Sequence, residues 1–187
     1  MKMTYKKWII ISVVLFGIGV VLGLSTPLNI FSSMGGLNPI SDLQQLAGVI
    51  APLPPVITFF IIFIRNVSVV VISCLLSPLF LVVPVLTLLV NGWVIGIVSV
   101  SVLQKQPLLF LLAGLLPHGI IELPALMIGE AIAFSIGLAV MTAVFRSEKR
   151  STLAQDLKRS LRWLAVVSGM LLAAAAIEAF VTPLLIS

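Results

Sequence analysis

Residues 108–145 read LLFLLAGLLPHGIIELPALMIGEAIAFSIGLAVMTAVF, and this stretch decides which kind of fold the chain can adopt. It contains two acids and no lysine or arginine, so 38 residues in a row are almost entirely apolar. A helix needs about 20 apolar residues to cross the ~30 Å hydrocarbon layer of a membrane. The stretch is therefore too long for one straight crossing and just long enough for two.

The composition of the whole chain also indicates a protein that is embedded in a membrane. The 187 residues are 60% hydrophobic and 9% charged, and the mean hydropathy is +1.28. Soluble domains carry about a quarter charged residues, so a soluble enzyme, a disordered tail and a disulfide scaffold are excluded. We predict an all-α fold, a polytopic transmembrane helix bundle of about five to six membrane helices, in a single integral membrane domain over 1–187.

The remaining spans and the N-terminal flank follow from the same pattern. Lys2, Lys6 and Lys7 precede the first apolar run, and the positive-inside rule then places the N-terminus in the cytoplasm. We interpret this run as an uncleaved signal anchor rather than a cleaved secretory signal, because no clear cleavage site follows it. Outside the long stretch, the predicted spans cover about 8–24, 56–76, 79–103 and 164–186.

The basic segment 146–162 decides how the long stretch should cross. Two full crossings between 108 and 145 would place this segment outside, whereas one net crossing places it in the cytoplasm, as the positive-inside rule requires. We therefore predict a broken or re-entrant element at 108–124, followed by one crossing helix to Phe145. Two complete spans stay open as the alternative.

Two further segments show amphipathic spacing. In the outer loop 25–55, apolar residues recur at helical spacing over 37–50, which fits a short interfacial helix or an ordered loop equally well. At 151–162, leucines recur on one side of a strongly basic segment, which predicts an interfacial helix on an anionic cytoplasmic leaflet.

Few ionisable side chains fall inside the predicted spans. Such groups are costly in a membrane and usually face a bundle interior or a cavity, so each is a candidate functional residue. One such residue is Glu178 in the last span. The others belong to a predicted intramembrane polar cluster that also includes two asparagines; its members are Arg65, Asn66, Asn91, His118, Glu122 and Glu130. The residues expected to bend or pack the helices are Gly92, Gly96, Pro117, Gly119 and Pro124.

Several kinds of chemistry were weighed for the cluster. A zinc hydrolase needs a third ligand beside His118 and Glu122, and a serine hydrolase needs a nucleophile elbow that the sequence lacks. A proton relay through His118, Glu122 and Glu130 is compatible with a transporter. The structural alternative is a buried polar knot in which Arg65 neutralises Glu122. We expect no enzyme activity, no metal and no cofactor; Cys74 is a lone cysteine without a CxxC motif.

One run of residues resembles a known family. Pro117-His118-Gly119-Ile120-Ile121-Glu122-Leu123-Pro124-Ala125, with the upstream Asn91-Gly92-x-x-x-Gly96 and Arg65-Asn66, is similar to the signature of the stage II sporulation protein M family. The resemblance covers roughly 57–145. It implies a multi-pass membrane protein of bacteria or archaea, and the namesake of the family scaffolds two peptidoglycan-degrading partners during spore formation. Glu130 departs from the pattern, which has a small residue there.

Two functions follow as hypotheses. The first is a non-enzymatic scaffold or assembly partner in the cell membrane, with the lipid bilayer and other membrane or cell-envelope proteins as partners. The second is a small transporter or permease subunit with a polar path through His118, Glu122 and Glu130. A homo-oligomer is compatible with the exposed Gly and Ala faces. Nucleic acid is not an expected partner, because the basic residues cluster in short flanks between apolar runs.

Overall fold

The structure is a computed structural model that describes residues 5–27, 53–79, 81–146, 148 and 150–186. Over these ranges the chain forms helices and no strands. In chain order the helices are α1 Tyr5–Ser25, α2 Pro55–Leu76, α3 Val82–Leu103, α4 Leu108–Phe145, α5 Arg150–Phe180 and α6 Thr182–Ile186. The interfacial helix or ordered loop predicted over 37–50 lies outside the described residues.

Five of the described helices are long and apolar enough to cross a membrane. The crossing segments are Lys6–Ser25, Pro55–Leu76, Val82–Leu103, Gly119–Phe145 and Arg150–Phe180. These segments confirm the predicted polytopic all-α bundle. The third span starts at Val82 rather than at residue 79, because a turn over 77–79 precedes Leu81, whose φ of 60° lies in the left-handed region.

The long stretch forms one continuous helix, so the predicted re-entrant element at 108–124 is wrong, and so is the alternative of two spans. Helix α4 runs without interruption for 38 residues from Leu108 to Phe145 and contains both Pro117 and Pro124. A proline inside a helix removes one hydrogen bond, and neighbouring helices make such a loss tolerable in a membrane. At 1.5 Å per residue the helix is about 57 Å long, so its ends extend beyond a single crossing.

The basic segment is likewise part of a longer helix. Residues 151–162 were predicted as a separate interfacial helix, but they form the first turns of α5, which continues to Phe180. The sequence Arg162-Trp163-Leu164 contains no glycine or proline that would end a helix between the basic and apolar parts. The last span ends at Phe180, and the short helix α6 follows it.

Helices α1 and α3 contact each other through their backbones. A Cβ atom added at Gly19 or Gly23 would come closer than 3.0 Å to backbone atoms of α3, and one added at Gly92 or Gly96 would meet the backbone of α1 in the same way. Gly19 faces Leu89 and Gly23 faces Gly96, so residue numbers rise together and the helices are parallel. Paired small residues four apart are what allows membrane helices to approach so closely.

Helix α4 is the centre of the bundle, because it contacts each of the other five described helices. Its Gly129 faces the side chains of Val70 on α2 and Val167 on α5, and its Gly137 faces the backbone of Ser77. These contacts run in the same order along α2 and α4, so the two helices are parallel. The buried apolar cluster around α4 draws on α1, α2, α3 and α5.

The helix directions define which segments share a membrane face. Helices α1 and α3 run in one direction, and α2 and α4 run in the other, because the short connection between α2 and α3, with a turn over 77–79, reverses the chain. If each of the five long helices crosses once, four crossings separate residues 5–7 from residues 146–150. Both basic segments then lie on the same face.

The glycine interface gives a first prediction. The variant G19A should lower the melting temperature (Tm) of the detergent-solubilised chain by roughly 4–10 °C, because overpacking costs about 1–3 kcal/mol. The matched control is G17A on the same helix, since nothing lies within 4 Å of an added Cβ there. Alanine favours helix over glycine, so G17A should keep or raise the Tm. Equal losses in both variants would contradict the interface.

The face assignment gives a second prediction. In membrane vesicles of known orientation, an impermeant thiol reagent should label S151C from the face that carries the N-terminus and Q106C from the opposite face. The unsubstituted chain is the control, because its lone Cys74 is buried and should label slowly. Labelling of both introduced cysteines from one face would require an even number of crossings between residues 106 and 151 and would contradict a single-crossing α4.

Candidate functional site

A small group of polar side chains lies inside the bundle. Among the described residues, the buried polar ones are Ser12, Ser73, Ser77, Glu130, Ser160 and Thr182. Glu130 is the ionisable member of this group and is 0% exposed. A carboxyl group removed from water is costly unless hydrogen bonds or an opposite charge compensate it, so the surroundings of Glu130 define the candidate site.

Glu130 sits on the middle part of α4 and is bonded to α2. The hydroxyl of Ser73 donates a hydrogen bond to Oε2 of Glu130. The other carboxyl oxygen, Oε1, is buried and has no hydrogen-bond partner. Cys74, which is also buried, lies close enough to Glu130 for an electrostatic interaction. One carboxyl oxygen is therefore satisfied by a neighbouring helix and the other is not.

The rest of the environment of Glu130 is apolar. Gly129, the preceding residue, packs against Val70 and Val167. The following residues Ala131, Ile132 and Ala133 are at most 1% exposed. Glu130 thus occupies a closely packed interior position, and the closeness of the neighbouring helices follows from the small side chains before and after it.

Helix α1 packs against α4 near this region. The indole ring of Trp8 stacks on the ring of Phe134 with centroids 5.0 Å apart and an interplanar angle of 10°. One turn further along α1 comes Ser12, which is fully buried and whose hydroxyl has no hydrogen-bond partner. Nε1 of Trp8 is also buried and without a partner. Two polar groups of α1 therefore point into the bundle without a bond to satisfy them.

The other members of the predicted polar cluster differ in their described surroundings. The amide of Asn91 donates to the carbonyl of Thr87 within its own helix, at 2.7 Å. Glu122 lies two turns of α4 away from Glu130 and is half-buried. Nδ2 of Asn66 is buried without a partner. His118 lies in α4, and its side chain is outside the described part of the chain.

Arg65 has an acidic neighbour besides the Glu122 of the predicted polar knot. It is exposed and lies close enough to Glu178 on α5 for electrostatic attraction. The nearby rings of Phe59 and Phe180 hold the same two helices together, with centroids 6.4 Å apart. The sequence placed Arg65 and Glu178 in different spans, and only the packing of α2 against α5 brings them together.

Sequence reasoning also missed Ser73 and Ser12, the two hydroxyls of this region. Each stands in an apolar run where a serine is commonly accommodated by a bond to its own helix, so neither residue type nor spacing marks it. The one available signal was Ser73-x-x-x-Ser77, a small-residue pair that indicates a close helix contact. Among the described residues, no three His, Cys, Asp or Glu side chains are grouped so that they could hold a metal ion.

Comparisons with known proteins bear on the whole chain. The sequence model of the family described as stage II sporulation protein M matches residues 9–183. An uncharacterized protein of Methanocaldococcus jannaschii is 27% identical over 176 residues, which are 94% of this chain and 93% of that protein. No solved structure matches the chain with statistical significance.

The bond from Ser73 gives a third prediction. The variant S73A should lower the Tm by roughly 2–10 °C, because it leaves a buried carboxyl oxygen without its donor at a cost of about 1–3 kcal/mol. The control is S77A, one turn later on the same helix and equally buried, since its hydroxyl bonds only to the carbonyl of Cys74 at 2.9 Å. A larger loss for S77A than for S73A would show that the Ser73–Glu130 bond contributes little.

Proposed function

We propose that this chain, which belongs to the stage II sporulation protein M family, is a non-enzymatic scaffold in the cell membrane that holds other membrane or cell-envelope proteins. The chain is a multi-pass membrane protein by its family and by its five apolar helices. The scaffold role is our inference. The observation that carries it is the position of Arg65.

Arg65 is a charged side chain on the outside of the bundle at mid-membrane depth. It is the eleventh of the 22 residues of α2, and it is exposed although Glu178 lies near it. Ile61, one turn before Arg65 on the same face of the helix, is also exposed. A guanidinium at the centre of a bilayer costs a few kcal/mol or more against lipid tails, so contact with a polar group of another protein would stabilise this surface.

Arginine is well suited to such a contact. Its planar guanidinium carries five donors and can bind a carboxylate through two parallel hydrogen bonds. Glu178 lies close enough for electrostatic attraction, and the exposed guanidinium of Arg65 can bind a further acid or carbonyl. We therefore infer that a partner helix with an acidic or polar residue packs on the surface of α2 around Arg65.

The packing of the interior also supports a scaffold over a conduit. Leu88, Ala125, Ile132, Val167 and Leu171 are at most 1% exposed, so apolar side chains fill the space around α4. Helices α1 and α3 touch through their backbones, which leaves no room for a solute between them. A closely packed interior resists the rearrangements that a transport cycle requires.

We also propose the orientation of the scaffold. The N-terminal lysines and the basic segment 146–162 belong on the cytoplasmic side under the positive-inside rule. Arg150, Lys158, Arg159 and Arg162 are exposed, and anionic headgroups of the inner leaflet would attract this start of α5. The lipid bilayer is thus a partner of the chain as well as its solvent.

The alternative function is a small transporter or permease subunit with a path through His118, Glu122 and Glu130. The buried Glu130 is the observation in its favour, because intramembrane carboxyls often mark proton paths. Purified chain in liposomes under an imposed membrane potential separates the two functions. A scaffold leaves proton uptake at the rate of protein-free liposomes, whereas a transporter raises it, and E122Q and E130Q should then abolish the increase.

Arg65 gives a fourth prediction. We expect the chain extracted into polymer nanodiscs to have a mass above its 20.0 kDa monomer. R65L should raise the Kd of the assembly at least about 30-fold, because removal of one member of a buried charge pair costs about 2–5 kcal/mol. Mass photometry measures the assembly.

Two controls define the outcome of that measurement. R65K keeps the charge and should keep most of the assembly. F60L, at another exposed position on α2, changes size without charge and should leave the assembly intact. An unchanged assembly in R65L, or a monomeric unsubstituted chain, would rule out Arg65 as the docking group.

A further inference from the structure

Two buried oxygen atoms in the bundle lack the partners that buried polar groups nearly always have. They are Oε1 of Glu130 on α4 and the hydroxyl oxygen of Ser12 on α1. Both side chains are 0% exposed. A carboxylate oxygen can only accept a hydrogen bond, whereas a hydroxyl can both donate and accept.

The helix geometry places these two groups at the same level of the bundle. Helices α1 and α4 are antiparallel, and Trp8 stacks on Phe134 between them. Residues four apart lie on one face of a helix. Ser12 follows Trp8 by one turn and Glu130 precedes Phe134 by one turn, so both lie one turn from the stacked rings in the same direction. Ser73 approaches Glu130 from α2.

We propose that Glu130 is an intramembrane proton-binding site, in which Oε1 carries a proton while Oε2 accepts from Ser73. Ser12 and Oε1 are not bonded to each other in the structure, so the proposal includes a rotation of the Ser12 side chain that lets its hydroxyl oxygen accept from this proton. The neutral acid has one donor and one acceptor atom, which matches the one acceptor and one donor offered by the two serines. A single bound proton thereby satisfies both unpartnered oxygens. It also links α1, α4 and α2 through one side chain.

An ionised carboxylate does not fit these surroundings. Among the described residues, the titratable side chain that interacts with Glu130 from a neighbouring helix is Cys74, which provides no positive charge. The side chains that α5 and α3 contribute to the buried cluster are apolar, including Val167, Leu171 and Leu88. A charge with a single hydrogen bond in an apolar interior is strongly destabilising.

A metal cation bound to Glu130 does not fit these surroundings either. Hard cations are bound by about six or more oxygen ligands, and the unpartnered side-chain oxygens here are those of Glu130 and Ser12. Membrane proteins that bind sodium at mid-membrane usually add carbonyls from unwound helices. Helix α4 is continuous through Glu130, so its carbonyls are used in the helix itself. A proton needs only the one oxygen that carries it.

The first test is a direct measurement of the proton. In the purified full chain at neutral pH, infrared spectroscopy should show the carbonyl band of a buried carboxylic acid, and this band should be missing in E130Q. The control is E122Q, which changes a half-buried acid on the same helix and should keep the band. A spectrum that E130Q leaves unchanged would overturn the proposal.

The second test uses stability, because an amide has the same donor and acceptor pattern as the neutral acid. E130Q should keep or raise the Tm at neutral pH, because the amide is neutral without a proton whereas the carboxyl has to take one up on folding. S12A should lower the Tm by roughly 2–8 °C by removing the acceptor. S99A is the control for S12A, since Ser99 bonds only to the carbonyl of Ile95 in its own helix. A large loss in E130Q would show that the charge, rather than the acid, is required.

The third test separates a proton from a cation. Raising the pH should withdraw the proton and lower the Tm of the unsubstituted chain more than that of E130Q, and C74A in both backgrounds removes the contribution of the neighbouring thiol. Replacement of choline chloride by sodium or potassium chloride should leave the Tm unchanged. A Tm that sodium or potassium raises in the unsubstituted chain and not in E130Q would replace the proton by that cation.

Discussion

The direct contact between the backbones of α1 and α3 is the constraint on which the arrangement of the bundle depends. Lipid tails are as apolar as leucine, so burial of apolar surface contributes little to helix association in a membrane, and close packing must supply it. Gly19, Gly23, Gly92 and Gly96 allow this approach and fix the two helices as parallel. The short connection with a turn over 77–79 then reverses the chain between α2 and α3, and α4 packs alongside α2. The contact between α1 and α3 and this connection together set the directions of the first four long helices.

The second organising feature is the scarcity of charge within the spans. Arg65 and Glu130 show two ways to accommodate such a group. Arg65 stays at the surface of the bundle beside Glu178, where a partner protein can complete its contacts. Glu130 is enclosed and bonded to Ser73, where a neutral acid is the compatible form. The role that we propose for Arg65 concerns assembly, and the role that we propose for Glu130 concerns the interior of the bundle, so mutations can test the two separately.

The family match extends over nearly the whole chain. The match over residues 9–183 includes all five long helices almost completely, so it covers the bundle as a whole. Within the bundle, His118 and Glu122 belong to the signature that resembles the family, whereas Glu130 departs from it. The proposed scaffold role and the proposed proton-binding carboxyl are compatible, because Arg65 and Glu130 lie on different helices.

The sequence by itself determined the solvent, the helical class and the importance of Gly92 and Gly96. It also located four of the five crossing segments to within about six residues. The fifth starts earlier than predicted and ends at Phe180. Tertiary structure decided that α4 continues through Pro117 and Pro124, that Arg65 meets Glu178, that Asn91 bonds to its own helix, and that Ser73 meets Glu130. The reason is physical. In water an apolar stripe marks the buried face of a helix, but in lipid both the buried and the outer faces are apolar. Periodicity then identifies a span without showing which of its faces meets another helix.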